Sequence, residues 1–286
     1  MATSIPKRRD SPPLFSVCIP AHNRSAMIPR AIASVIQQTD QDFELIVVDD
    51  GSTDDTYDVA NAATTAIRKR ARLIRLTDNL GIPGARNAGL KAARGRIGVF
   101  LDSDDVWHPS FLSIIRRAFE AAPNAIFAFT NYLSRGPKFT GPVIQVPDES
   151  KIVDPIESML TKPYIHTMSC FAAPIADMRA VGGFNTKLQR FSDLDLYVRL
   201  LAGRKSRGLL AWKKRPFLVV PHIAVLKEIH LKDRPLESYA RAWEKNKNRF
   251  LDEIFSYSFM KHRRGLRHVC KHWLDEGQRQ FFANFA

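Results

Sequence analysis

The apolar and polar positions of the first half of the chain switch period in a regular order. "LFSVCIP" (14–20) is a short β-rich run, and "SAMIPRAIASVIQQT" after it places Ile28, Ile32, Val35 and Ile36 at helical spacing. "FELIVVDD" from Phe43 reads as a second strand, and the turn chemistry of "DGST" predicts a helix from about Thr53. "ARLIRLTD" and "RIGVFLD" repeat the strand signal, with "GARNAGLKAAR" between them as a helix; "PSFLSIIRRAFEAAP" and "AIFAFTNYL" continue the alternation. Strands alternating with helices predict an α/β fold, a mostly parallel open sheet with helices on both faces.

The second half is less regular. Residues 134–153 read as a long excursion with one strand at 143–146, followed by helices near 155–160 and over about 193–202. The apolar runs "GLLAW" and "FLVVPHIAVL" come next, and amphipathic stretches over about 236–255 and 258–282 finish the chain. The pattern divides the chain into a loose leader (1–13), a main domain (14–235, with halves 14–133 and 134–235) and a basic helical C-terminal extension (236–286).

In open α/β sheets, ligands bind in the crevice outside the carboxyl ends of the strands. The first predicted strand runs into Pro20, His22, Asn23 and Arg24, the second into Asp49 and Asp50, and the fourth into Asp102, Asp104 and Asp105. Any one of these fits a strand end or helix cap. Three ends biased toward one edge point to a site. Neither GxGxxG nor GxxxxGK[ST] occurs, so the usual phosphate cradles are absent. Three carboxylates in "LDSDD" repel one another, and a hard cation such as Mg²⁺ or Mn²⁺, held by one or two carboxylates plus substrate phosphates, would relieve that repulsion.

The chain has 286 residues, 45% of them hydrophobic, enough for a full core. Its net charge of +14 is uneven: residues 201–286 carry 19 basic and 8 acidic side chains, which suggests an anionic partner near that end. Cys18, Cys170 and Cys270 are odd in number and widely spaced, which argues against a disulfide framework or zinc site and for a reducing compartment. No run approaches the roughly 20 apolar residues that span a bilayer. The expected location is the cytoplasm, with peripheral association at the cytoplasmic face of the membrane as its extension.

"FSVCIPAHNR", "FELIVVDDGSTDDT", "NLGIPGARNAGLKAARG", "VFLDSDDVWHP" and "GGFNTKLQRFSDLDLYVRL" together resemble the successive blocks of family 2 glycosyltransferases, over about residues 14–203. The resemblance implies the GT-A fold, a Rossmann-like sheet, and inverting transfer of a sugar from a nucleoside diphosphate sugar, most commonly UDP-linked, to an acceptor hydroxyl. Envelope or extracellular polysaccharide synthesis is the setting it implies, with a saccharide or lipid-linked acceptor. It places Asp50 at the nucleobase with Pro20 and Asn23 lining the same pocket, Arg86 on the nucleotide, and Asp102 at the ribose or metal. Asp104 becomes the principal ligand of Mn²⁺ or Mg²⁺, with Asp105 structural. His230 matches a late histidine that contacts metal or diphosphate in several relatives; a lone His is otherwise a surface or core group. His22 stands where many members have Tyr.

The acceptor hydroxyl needs a positioned base. Asp193 and Asp195 are two apart and so point about 200° from each other on a helix. Asp195 sits four before Arg199 and, with Ser192, fits an S-x-x-[DE] capping pattern. Asp193 lacks such a local partner and matches the aspartate of the family's Glu-Asp pair, so it is assigned as base. Ser192 occupies the position where glutamate is common.

The terminal stretch "FMKHRRGLRHVCKHWLDEGQRQFFANF" mixes Phe, Trp and Leu with Lys and Arg. Such a helix either lies on an anionic membrane surface or packs on the main domain with a solvated basic face. His268, Cys270 and His272 lack a nearby fourth ligand and suit a basic helix face better than a metal site. A catalytically impaired nucleotide-sugar-binding module of the same fold is the second reading. Nucleic-acid binding ranks last and is not expected, because the strand ends are acidic and no reading helix or RNP-like sheet is recognisable. Nothing in the pattern sets an oligomeric state.

Overall fold

The computed structural model describes residues 11–135, 140–143, 154–161, 165–203, 215–228, 236–256 and 271. The first half alternates as its pattern predicts: β1 (Phe15–Ala21), α1 (Ile28–Ile36), β2 (Phe43–Asp49), α2 (Thr56–Ala63), β3 (Ala71–Arg75), α3 (Gly81–Ala92), β4 (Ile97–Phe100), β5 (Val106–Trp107) and α4 (Phe111–Ala121). The second half adds β6 (Ala128–Arg135), β7 (Thr140–Val143), α5 (Pro155–Thr161), β8 (Phe171–Pro174), α6 (Ile175–Ala180), α7 (Ser192–Ala202), β9 (Leu218–Glu228) and α8 (Leu236–Ser256). The sheet order is β3-β2-β1-β4-β8-β6-β9-β5, with β7 beside β6. The β3, β2, β1 and β4 block is parallel; β8 enters antiparallel between β4 and β6, and β9 returns parallel to β6.

Strand alternation divides the core into two clusters, one on each face. Val17, Ile19, Leu45 and Val47 lie in one, Cys18, Ile46 and Val48 in the other. A strand covered on both faces is apolar at most positions, so these segments read as near-continuous hydrophobic runs, interrupted by Ser16 and Glu44, which bond to each other. Pro20 is tolerated inside β1 because the β4 ladder stops at Cys18 opposite Phe100.

Several boundaries differ from the sequence pattern. The α2 helix starts at Thr56, three residues after the expected position. Asp54 accepts from Thr56 N at 3.0 Å and from Ser25 Oγ at 2.8 Å, so residues 51–55 stay a turn tied to the β1–α1 loop. The α3 helix begins at Gly81, earlier than the pattern suggested; Gly81 holds φ +76°. The short strands β5 and β8 carry too few residues to show a period. The "FLVVPHIAVL" run forms β9, and its register against β6 shifts between Val220 and Val225, where Pro221 removes a ladder donor. The expected strand at 143–146 overlaps β7 only at Val143; 144–146, "GLLAW", and the stretch 258–282 apart from residue 271, His268, Cys270 and His272 included, lie outside the described residues, as does His230.

Candidate active site

The C-terminal ends of β1, β2 and β4 meet at one lip of the sheet. At the β1 end Asn23 adopts φ 52°, and its carboxamide oxygen accepts from Thr53 N at 2.9 Å. His22 Nδ1 lies 2.8 Å from the Asp50 carbonyl, and Asn23 Nδ2 3.3 Å from His22 Nε2. Asn23 thus bridges the β1 and β2 loops, and the left-handed backbone suits Asn.

The two β2-end aspartates divide their work. Asp49 Oδ1 accepts from Ser52 N at 3.1 Å and Oδ2 faces Arg75 at 3.4 Å, closing the turn. Asp50 Oδ1 accepts from Leu80 N at 2.8 Å. Burial pushes the Asp50 carboxyl up, against the Leu80 and Gly81 amides that favour its charge. Asp50 therefore pins the loop from which α3 starts. That loop is tight: a Cβ on Gly81 would fall 1.9 Å from Gln189 Oε1.

The α3 helix packs closely on β1, since a Cβ on Gly89 would meet Cys18 Sγ at 2.1 Å. One turn earlier it delivers Arg86, buried, to Asp102 Oδ1 at 2.8 Å. Its guanidinium carbon lies 5.6 Å from the centre of the Phe184 ring. Arg86 also feels the charge of Asp193, and its buried Nε has no partner among the described residues. Because α3 starts at Gly81, Arg86 sits in its second turn, buried and not a solvated charge at the helix end.

The turn after β4 holds three unlike carboxylates. Asp102 and Asp104 are partly exposed and Asp105 is buried. Ser169 Oγ donates to Asp105 Oδ2 at 2.6 Å and accepts from Asp102 N at 3.1 Å, while Thr167 Oγ1 lies 3.4 Å from both Asp102 Oδ2 and Asp105 Oδ2. Trp107 Nε1 donates to the Ser169 backbone carbonyl at 2.8 Å and so fixes the backbone that carries that hydroxyl. Burial pushes Asp105 up to about 7. Burial acts likewise on Asp102, but Arg86 and then Lys227 outweigh it and hold that carboxyl below its ordinary value.

Asp193 and Asp195 separate as helix geometry requires. Asp195 is fully buried in an ion pair with Arg199, whose Nη1 donates to Val181 O at 2.7 Å and Nη2 to Gly183 O at 2.8 Å. Asp193 is partly exposed on the first turn of α7 and within electrostatic range of Arg86 and Tyr197. The expected capping box is absent: Phe191 is the N-cap at φ 61° with no side-chain cap bond, because Arg199 takes the Asp195 carboxylate.

The donor set suits a hard divalent ion. Asp102 and Asp104 offer oxygen only, and no group of three His, Cys, Asp or Glu that could hold a metal occurs among the described residues. A site with one or two carboxylates draws its other ligands from phosphate and water, which is how Mg²⁺ and Mn²⁺ are commonly bound.

Thr167, Ser169, Phe184 and Lys227 escape the sequence reading. Thr167 and Ser169 flank Met168 in "HTMSC" without periodicity, and Lys227 is one of 43 basic residues, placed only by the β9 register.

The chain belongs to glycosyl transferase family 2, whose model matches residues 16–176. It is 38% identical over 121 residues to the Escherichia coli UDP-Glc:alpha-D-GlcNAc-diphosphoundecaprenol beta-1,3-glucosyltransferase WfaP, covering 42% of this chain and 46% of WfaP. Over 108 residues it is 41% identical to an uncharacterized glycosyltransferase of Nostoc, covering 38% of this chain and 33% of that one. The matched stretch thus spans less than half of either relative. The fold is similar to the mannosyltransferase PcManGT of Pyrobaculum calidifontis in complex with GDP-Man and Mn²⁺ (TM-score 0.63, 17% identity, 92% of this chain and 70% of that one). It is also similar to S. aureus TarS 1–349 in complex with UDP-GlcNAc (TM-score 0.59, 18% identity, 86% of this chain and 74% of that one).

Proposed function

We propose that this chain transfers a sugar, with inversion, from a nucleoside diphosphate sugar to an acceptor hydroxyl, and that the donor is UDP-linked. The single observation that carries the reading is Arg86, buried on α3, paired with Asp102 of the β4 turn and within electrostatic range of Asp193 of α7. It joins the segments that would hold the donor to the segment that would activate the acceptor. Asp50 and the 80–81 loop form the nucleobase side, with Pro20 and Asn23 at its edge. Asp102 and Asp104 would hold Mn²⁺ or Mg²⁺, which when bound stabilises developing charge on the leaving diphosphate. Arg86 keeps Asp102 ionised and oriented. Asp193 accepts the proton of the acceptor hydroxyl.

A lipid-linked acceptor in envelope polysaccharide assembly is favoured by the WfaP name, which specifies a diphosphoundecaprenol acceptor for that protein. The basic excess after residue 201 favours contact with an anionic membrane surface. Residues 14–235 form the catalytic part and 236–286 the basic extension.

Donor hydrolysis and transfer, screened over UDP- and GDP-sugars with Mn²⁺ and Mg²⁺, test the reading. Asp193→Asn is expected to lose turnover by roughly 10²- to 10⁴-fold, the usual contribution of a general base, with nucleotide binding retained. Turnover unchanged in that variant removes Asp193 as base. Ser192, buried in place of the family's common glutamate, favours the second reading of a nucleotide-sugar-binding module. Nucleotide binding by the wild-type chain without hydrolysis or transfer would establish it.

A further inference from the structure

Three carboxylates share the β4 turn, and Arg86 pairs with Asp102. A second cation arrives from the far end of the sheet. In the antiparallel β5–β9 pair Val106 faces Leu226 and Trp107 faces Val225, so one step further along the same register sets Lys227 against Asp105. Strand alternation puts Lys227 on the face of Val225, and Val225 is opposite Tyr132 in the β6–β9 ladder. Burial works against the ammonium, but Asp105, Asp102, Tyr132 and Asp104, in that order, outweigh it and hold its pKa above the ordinary value. Two register shifts of β9 against β6, between Val220 and Ile223 and between Ile223 and Val225, precede this pairing, so the placement of Lys227 is built into the backbone.

A fixed ammonium beside Asp102 and Asp104 has opposite effects on the two halves of a metal–diphosphate ligand. It repels a bare dication from those carboxylates and attracts a polyanion. We propose that Lys227, set against Asp105 beside Asp102 and Asp104, is a positioning residue that disfavours a free divalent ion and favours a diphosphate, so that ion and nucleotide enter the site together. The inference rests on reading this lip as a nucleotide-sugar site.

The test uses the full chain and two ligands separately. Mn²⁺ alone, followed by electron paramagnetic resonance, is expected to bind Lys227→Met roughly tenfold more tightly than wild type, the order expected of one charge acting on a dication across a partly solvated gap. UDP and GDP, each titrated calorimetrically in EDTA, are expected to bind the same variant more weakly. A merely structural lysine would loosen the turn and weaken both ligands together. Lys227→Arg should keep both wild-type affinities, and Lys227→Gln repeats the comparison if circular dichroism shows that the Met variant does not fold.

Affinities that fall together, or that stay within about twofold of wild type, overturn the inference. Wild-type protein that binds neither nucleotide in EDTA overturns its diphosphate half. Asp104→Asn separates the two levels. Loss of Mn²⁺ binding in that variant leaves the site reading standing whatever Lys227 does, and Mn²⁺ binding indifferent to it overturns the site reading and the inference together.

Discussion

Cys18 lies on β1 beneath the Arg86–Asp102 pair, and Cys170 lies behind Ser169; burial pushes both thiols up to about 12. A thiol raised that far is almost wholly protonated at neutral pH, and only the thiolate is a nucleophile. Native protein pulsed with iodoacetamide is therefore expected to show neither residue alkylated by peptide mass spectrometry, and both alkylated in urea. Alkylation of Cys18 in the native state would show that the floor of the site opens. At this scale the legible residues were those whose neighbours are local. The Asp195–Arg199 pair follows from i,i+4 spacing and is present, which left Asp193 to face the lip. Lys227 was illegible because its partners lie 95 or more residues away in sequence and meet it only across a sheet.

Glu44 shows how one side chain joins elements. On β2 it accepts from Ser16 Oγ of β1 at 2.7 Å, from Arg94 N after α3 at 2.6 Å and from Arg72 Nη2 of β3 at 2.8 Å. Burial would raise its carboxyl, but these donors and the two guanidinium groups outweigh it and hold it below the usual carboxylate range. The unfolded chain then binds the proton more readily, so the contribution is complete above the ordinary glutamate pKa of about 4.3 and is lost as pH falls through the lower folded value. Glu44→Gln should unfold at lower urea at pH 7, by about 2 kcal/mol for weakened charge-assisted hydrogen bonds. The gap should narrow below about pH 4. A gap that is constant with pH would contradict this account. The repeating strand and helix patterns made β1 to β4 and their helices readable; β4, only four residues long, was read from its place in the alternation and the aspartates that follow it. The strands β5 and β8 were not readable, since two and four residues carry no period and their pairing is decided by neighbours from elsewhere in the chain.

Across the whole molecule, charge is as unevenly placed as chemistry. Asp50, Asp102 and Asp104 gather at one lip, while 19 of the 43 basic residues fall after residue 200. No helix among the described residues is long and apolar enough to cross a membrane. Each basic residue near an anionic bilayer contributes about 1 kcal/mol, an attraction that salt screens. The full chain is expected to co-sediment with phosphatidylglycerol vesicles at low salt and to be released as salt rises. A chain ended after Ser256 keeps the buried Phe250, Leu251 and Ile254 of α8, loses six of those 19 basic residues, and should be released at lower salt. Equal vesicle binding by both chains would show that the terminal residues are not the contact.

The sequence by itself determined the alternation of strands and helices, the crowding of aspartates at strand ends, and the division of Asp193 from Asp195, because periods, turn chemistry and helix geometry are short-range. Only the tertiary structure decided that Arg86 is buried against Asp102 within electrostatic range of Asp193, that Thr167 and Ser169 hold the β4 turn, and that Lys227 stands against Asp105. The first two join α3 and the 167–169 segment to the β4 turn, and the last depends on how a two-residue strand and a bulged one pair across the sheet; contact between distant segments leaves no periodic trace in either of them.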